Sequence, residues 1–512
     1  VARATEGGSG VHTLADPLEH ARRTSASRLA VVSGDTRLTF EDLGRRCRLL
    51  AGALDRAGLA RGERVAIWAD NDHRYIETYL GVPASGRVVV PLNTRHAEPE
   101  LVYALRDSGA RVLLTDREPG ALADCVERVV RLPDEYEAWL SAADETSLGV
   151  DLGEDDLAGL FYTGGTTGAS KGVMLSHRNL VANAWHWMAR VPHGPDDRIL
   201  VMAPLFHAAG SNGVIGNVWT GGVQVVLPSF SGEGALDLIE RERCTGTLGV
   251  PTMLAAITEA QRKHPRDTSS MRFIAHGGSP VASEVLRRLH DAIPTAELIE
   301  VYGATELSPL ATVARHEETM LDAPRIRSCG PALPGVSVRV ANAQGETQAA
   351  GEVGEVVVRG PTVMRGYWNK KEETEAVLRN GEYWTGDLGY MDESGWLFLV
   401  DRSKDMIVSG GENVYSSEVE EALYRHPAVL EAAVFGVPDE RWGEAVWAAV
   451  QLRPGAAPVD AAGLIEFCRR HLGGYKVPKG IDLHAEPLPK SGPGKFLKRE
   501  LRAPTGRVAI AP

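Results

Sequence analysis

The segment Tyr162 to Gly172 reads YTGGTTGASKG and follows the apolar run LAGLF. Gly164, Gly165 and Gly168 would let backbone N–H groups converge on one point, which suits phosphate oxygens. Thr163, Thr166 and Thr167 add hydroxyl donors, and Lys171 adds a mobile positive charge. A Walker A loop ends in Gly-Lys-Ser/Thr, whereas Lys171 stands between Ser170 and Gly172, so this is another kind of loop. A glycine-rich hairpin is the competing reading, because VMLSH follows as a second strand.

Further groups of chemical residues lie along the chain. PLFHAAG sets His207 between two apolar stretches, where a lone histidine reads either as core or as the border of a channel. HGGSP carries Gly277, Gly278 and Ser279, and VYGATELSP packs Tyr302, Gly303, Thr305 and Glu306 together. YWTGDLG places Asp387 just after a Gly turn. DRSKDMIVSGGENVYSSEVE holds Arg402, Lys404, Gly410 and Gly411, and LPKSGPGKFLKRELR holds Lys495 in a basic tail.

Elements of two kinds must position these residues. The β-rich runs RVAIWAD, RVVVPLN and RVLLTD alternate with helical patterns such as EDLGRRCRLLAGALDRAG and PELVYALRDSG. Strand–helix alternation predicts a mostly parallel sheet covered by helices. It resumes after residue 196 with RILVMAP, GGVQVVLP and RFIAHGG, predicting a second α/β subdomain. From about 327 to 400, strands separated by Gly and Asp turns predict a small β-rich subdomain. A short α+β unit follows DRSKD, with helices in SEVEEALYRHP and AAGLIEFCRRHL. The expected division is a leader over 1–12, a large domain over 13–400, a hinge at 401–404, a small mobile domain over 405–505 and a tail over 506–512.

Bulk properties narrow the function classes. The chain has 512 residues, 43% hydrophobic and 24% charged, with a formal charge of −13. That balance gives no basic stripe for a nucleic-acid duplex, although a few local groups suffice for a nucleotide. Five cysteines (Cys47, Cys125, Cys244, Cys329 and Cys468) lack metal-ligand spacing and suit a reducing compartment. With no apolar run of about 18 residues, the expectation is a cytoplasmic protein without a membrane span, and a homo-oligomer is left open.

Taken in order, the five motifs resemble the adenylate-forming enzymes: acyl-CoA synthetases, firefly-type luciferases and peptide-synthetase adenylation domains. The resemblance spans roughly residues 30 to 502 and is nearest to bacterial fatty-acyl-CoA ligases. The family loop usually has serine and proline where this chain has Gly164 and Ser170, and many relatives have proline at Ser416. The resemblance implies two half-reactions with ATP, Mg²⁺ and coenzyme A. A carboxylate attacks the α-phosphate to give acyl-AMP and pyrophosphate, and a thiol then displaces AMP.

The same resemblance assigns roles. Lys495 would bridge the substrate carboxylate and the α-phosphate, Glu306 would hold Mg²⁺, and Thr305 would contact the α-phosphate. Tyr302 would lie against adenine, with Gly277, Gly278 and Ser279 lining its pocket. Asp387 and Arg402 would bind the ribose hydroxyls. His207 would border the acyl and pantetheine channel, and Lys404 would be the hinge that brings Gly410 and Gly411 to the thiol. Because no basic residue follows Glu306 in LSPL, a dicarboxylic acid is disfavoured, and the resemblance of TELSPLATV to bacterial fatty-acyl-CoA ligases implies a medium- or long-chain fatty acid. The alternatives are an aryl-acid CoA ligase, an amide-forming or carrier-loading synthetase, a luciferase-like oxygenase, and a non-enzymatic nucleotide sensor. With no carrier domain after Pro512, CoA is the expected acceptor.

Overall fold

Runs rich in β-branched residues become buried strands, as Val88–Pro91 (VVVP) and Val223–Val226 (VQVV) show with every residue buried. Such rows need cover on both faces, which parallel sheets receive from their crossover helices. In the computed structural model, described over residues 12–163, 170–279, 281–316, 324–439, 441–490 and 496–502, they build four sheets.

The first sheet runs Arg128–Arg131, Ala110–Thr115, Arg64–Trp68, Val88–Pro91, Leu157–Thr163, Lys171–Ser176. It is parallel except at its last pair, where the hairpin reading of the Gly/Thr segment is realised. The second sheet runs Thr312–His316, Glu297–Tyr302, Phe273–Gly277, Gly246–Gly249, Arg198–Val201, Val223–Val226, Leu29–Ser33, Thr36–Thr39. Its inner strands are parallel and both outer pairs antiparallel. Leu29–Ser33 was not expected in this sheet: it leaves the first block and pairs with Val223–Val226. Only the folded sheet supplies that partner, since five residues carry too little pattern to name one.

Helices start where side chains satisfy their first N–H groups. Thr39 and Asp42 form a reciprocal capping box on Phe40–Arg56, and Ser176 and Asn179 form another on His177–Arg190. The largest apolar cluster joins the two α/β sheets, with Phe161, Trp187, Phe273 and Tyr302 among its members.

The third sheet (Ser328–Gly330, Leu397–Arg402, Glu382–Met391, Gly354–Arg359, Ser337–Ala341) is antiparallel throughout. Past Arg402 the chain turns and enters a fourth sheet built on Val429–Asp439 and Gly443–Leu452. This last region has its own core, including Ile407, Val419, Val434, Val450 and Leu464. It touches the rest through an Arg453–Glu259 ion pair, the Ser283 N–H donating to Glu421 Oε2 at 3.1 Å, and the Ser417 hydroxyl donating to the Val400 carbonyl. Among the described residues no helix is long and apolar enough to cross a membrane.

Candidate active site

A cavity of about 1870 Å³ opens where the strand ends of both α/β sheets, the antiparallel sheet and the C-terminal region meet. Crevices outside the carboxyl ends of strands in open α/β sheets are where such folds bind ligands.

The strand Glu297–Tyr302 delivers the densest part of the wall. Buried Tyr302 donates its hydroxyl to Asp387 Oδ2 at 2.9 Å. Arg402 Nε lies 3.1 Å from Asp387 Oδ1, and Asp387 and Arg402 are direct partners in their antiparallel ladder. One carboxylate therefore holds an aromatic ring and a guanidinium at fixed positions on the cavity wall. Burial pushes the Tyr302 hydroxyl pKa well up, and the Asp387 charge adds to this, so the phenol stays protonated and donates. Burial works against the Arg402 charge, yet Asp387 and Asp405 hold its pKa above the usual value.

After Tyr302 the chain passes Gly303, where a Cβ would lie 1.8 Å from the Pro309 carbonyl oxygen. Only glycine allows that approach, which folds the next turn back so that Thr305 and Glu306 line the cavity. Glu306 Oε1 accepts a hydrogen bond from the Tyr367 hydroxyl at 2.8 Å, and Oε2 has no hydrogen-bond partner among the described residues. An anionic oxygen on a cavity wall fits a hard cation such as Mg²⁺. Lys171 Nζ stands 4.9 Å above the Tyr367 ring, tying the Gly/Thr hairpin to the same group. Burial, and then Glu306, raise the Tyr367 pKa and keep it a donor.

The expected site residues separate into three sets. Thr163, Lys171, His207, Gly278, Ser279, Tyr302, Gly303, Thr305, Glu306, Asp387, Arg402 and Lys404 all line the one cavity. Gly277 ends its strand next to that lining, while Gly410 and Gly411 form an exposed turn between Ile407–Ser409 and Glu412–Val414, outside it. Gly164, Gly165, Thr166, Thr167, Gly168 and Lys495 lie outside the described residues. The flanks of these segments are placed: Thr163 pairs with Lys171 across the hairpin, and Phe496 and Lys498 line the cavity.

Two expectations gain detail. His207 caps the helix Ala208–Thr220, its Nδ1 accepting from the Ala209 N–H at 3.3 Å, while it also borders the cavity. Lys404 follows immediately on the last residues of the antiparallel sheet, and burial, then Arg402, lower its pKa. Sequence reasoning missed Tyr367, whose signal was an aromatic after a Gly turn in RGYWN. It also missed the Ser416 network. Ser416 donates from its N–H to Asp401 Oδ2 at 2.6 Å, and its hydroxyl lies 2.6 Å from Lys498 Nζ, which pairs with Glu420 at 2.9 Å.

Residues 18–368 match the AMP-binding enzyme family and residues 418–495 its C-terminal domain. The chain belongs to the AMP-binding enzymes. It is an adenylate-forming acid–thiol ligase of the acyl-CoA synthetase kind, using ATP, Mg²⁺ and CoA. It is 41% identical to a feruloyl-CoA synthase from Amycolatopsis sp, over 94% of this chain and 96% of that protein. It is 35% identical to a long-chain-fatty-acid–CoA ligase from Bacillus subtilis (strain 168), over 91% and 90%. The solved anthranilate CoA ligase AuaEII, in complex with anthranoyl-AMP, superimposes with a TM-score of 0.89 at 27% identity, covering 98% of each chain.

Proposed function

We propose that this ligase activates a monocarboxylic acid with an apolar body, aromatic acids of the phenylpropenoate class before medium- or long-chain fatty acids. The observation that carries the reading is the apolar part of the lining built by Phe206, Ala208, Ala209, Pro251, Ala255 and Ala256, with Glu259, Arg262 and Lys263 at the far end of the helix Pro251–Lys263. It supports a body that gives up water. The order of preference draws on the 41% identity to the feruloyl-CoA synthase against 35% to the fatty-acid ligase.

In this reading the chemistry is positioning and charge neutralisation. A carboxylate approaching a triphosphate meets like charge, about 4 kcal/mol per unit pair at ~4 Å and an effective dielectric of ~20. Lys495 and Lys171 supply fixed positive charge against that repulsion, and Thr305 orients the α-phosphate. Mg²⁺, held through Glu306, neutralises phosphate charge when bound. Tyr302 packs the base, and Asp387 with Arg402 accepts and donates to the ribose hydroxyls. With Phe496 and Lys498 at the cavity and Gly410–Gly411 outside it, the arrangement suits the first half-reaction. Rotation of residues 405–505 about 401–404 would then present Gly410 and Gly411 to the thiol.

A panel from acetate to palmitate, with benzoate, ferulate and malonate, tests the reading by pyrophosphate release and chromatography of the CoA product. The highest kcat/KM is expected with ferulate-like acids, followed by fatty acids. Turnover confined to malonate, or a product formed only with an added amine, would overturn it.

A further inference from the structure

His276, Glu300 and His316 come from three adjacent strands and meet on one face of the second sheet. His276 and Glu300 are direct partners in the parallel ladder. Leu298 pairs with His316 and Glu300 with Ala314, which places His316 diagonally across from Glu300 on the same face. All three are buried, with His276 at 0% and His316 at 2% exposure. One ligand atom from each lies within 4.8 Å of the others.

The polar atoms are poorly paired for so dry a place. Neither ring nitrogen of His276 or of His316 has a hydrogen-bond partner among the described residues. His276 Nδ1 is 3.2 Å from Glu300 Oε2 but out of line for a hydrogen bond. The two imidazoles stack at 6.2 Å with only 12° between their planes. Buried polar groups normally find partners, so these orphaned nitrogens, one of each ring within 4.8 Å of a Glu300 oxygen, call for a missing one. Imidazole ligates metal through the lone pair of its unprotonated nitrogen.

We propose that His276, Glu300 and His316 bind a divalent transition-metal ion, zinc first, at a site separate from the Mg²⁺ position at Glu306. Two imidazoles and a carboxylate are a zinc donor set, and its tetrahedral ligands sit about 3.3 Å apart. The 3.2 Å His276–Glu300 separation already has that value, and the third ligand atom lies within 4.8 Å of the other two. Such an ion would cross-link three strands beneath the segment that carries Tyr302, Thr305 and Glu306. Glu300 also borders the cavity, a route by which an ion could reach the cluster.

The test uses tag-free full-length protein, since a polyhistidine tag would compete. Elemental analysis should find about one zinc, or another first-row ion, per chain. After chelation, added Co²⁺ should give the visible absorption of a low-symmetry cobalt site. That signal should disappear in His316→Gln and in His276→Gln and persist in Glu306→Gln. Circular dichroism of each variant separates loss of the site from loss of the fold. A natively folded wild type that takes up no cobalt would overturn the proposal, as would a signal unchanged in His316→Gln or one lost in Glu306→Gln.

Discussion

Glu300 and Glu306 sit six positions apart on one strand and its following turn, and they have opposite surroundings. Glu306 presents a carboxylate to a large cavity, with one oxygen steadied by Tyr367 and the other unpartnered among the described residues. Glu300 borders the same cavity but is largely buried, beside two unprotonated imidazoles, and burial pushes its pKa well above the usual carboxylate value. The difference teaches that a carboxylate's task is set by what can still reach it. A group steadied at one oxygen can serve a passing ion on every turnover. A largely buried group beside neutral nitrogens suits a resident ion or a shared proton.

Four substitutions would sharpen or break that contrast. Glu306→Gln should lower kcat/KM for acyl-AMP formation about 100- to 1000-fold, with partial rescue by raised Mg²⁺. An equal loss in His316→Gln, measured by pyrophosphate release, would erase the distinction. Asp387→Ala removes the acceptor of Tyr302 and the partner of Arg402, and the KM for ATP should rise roughly 10- to 100-fold. Tyr367→Phe deletes a single hydrogen bond to Glu306, so adenylation should fall only about fivefold. A change as large as that of Glu306→Gln would mean that Tyr367 does more than steady the carboxylate. His316→Gln should leave adenylation in place and lower the melting midpoint by about 2–4 °C, read by circular dichroism.

The two glutamates were also unequally legible. Glu306 stands in a contiguous motif whose Gly303 is demanded by a close backbone approach, so local sequence carries its meaning. The Glu300 cluster draws on three strands brought together only by sheet register, and His276 and His316 share no spacing that a scan of the chain would notice. The same reason hid Leu29–Ser33, whose partner strand is supplied by distant chain. Alternation of buried strands and amphipathic helices made the two α/β sheets readable in advance. Tyr367 escaped because an aromatic after a glycine turn is ordinary until a carboxylate is seen at its hydroxyl.

Asp401 and Arg402 are neighbours on a strand, so their side chains leave on opposite faces. Arg402 grips Asp387 in the large domain, whereas Asp401 accepts from Ser416 in the small one. Two consecutive residues thus act as a crossed clasp, each hand holding a different body. In the proposed rotation of residues 405–505 the Asp401–Ser416 contact would have to open and its groups be rehydrated. Part of the barrier to that rotation would then reside in the clasp, with Ser416 as its catch. Strengthening the catch would lengthen the dwell in the present pose and loosening it would shorten that dwell, with Tyr302, Thr305, Glu306 and Asp387 left unaltered.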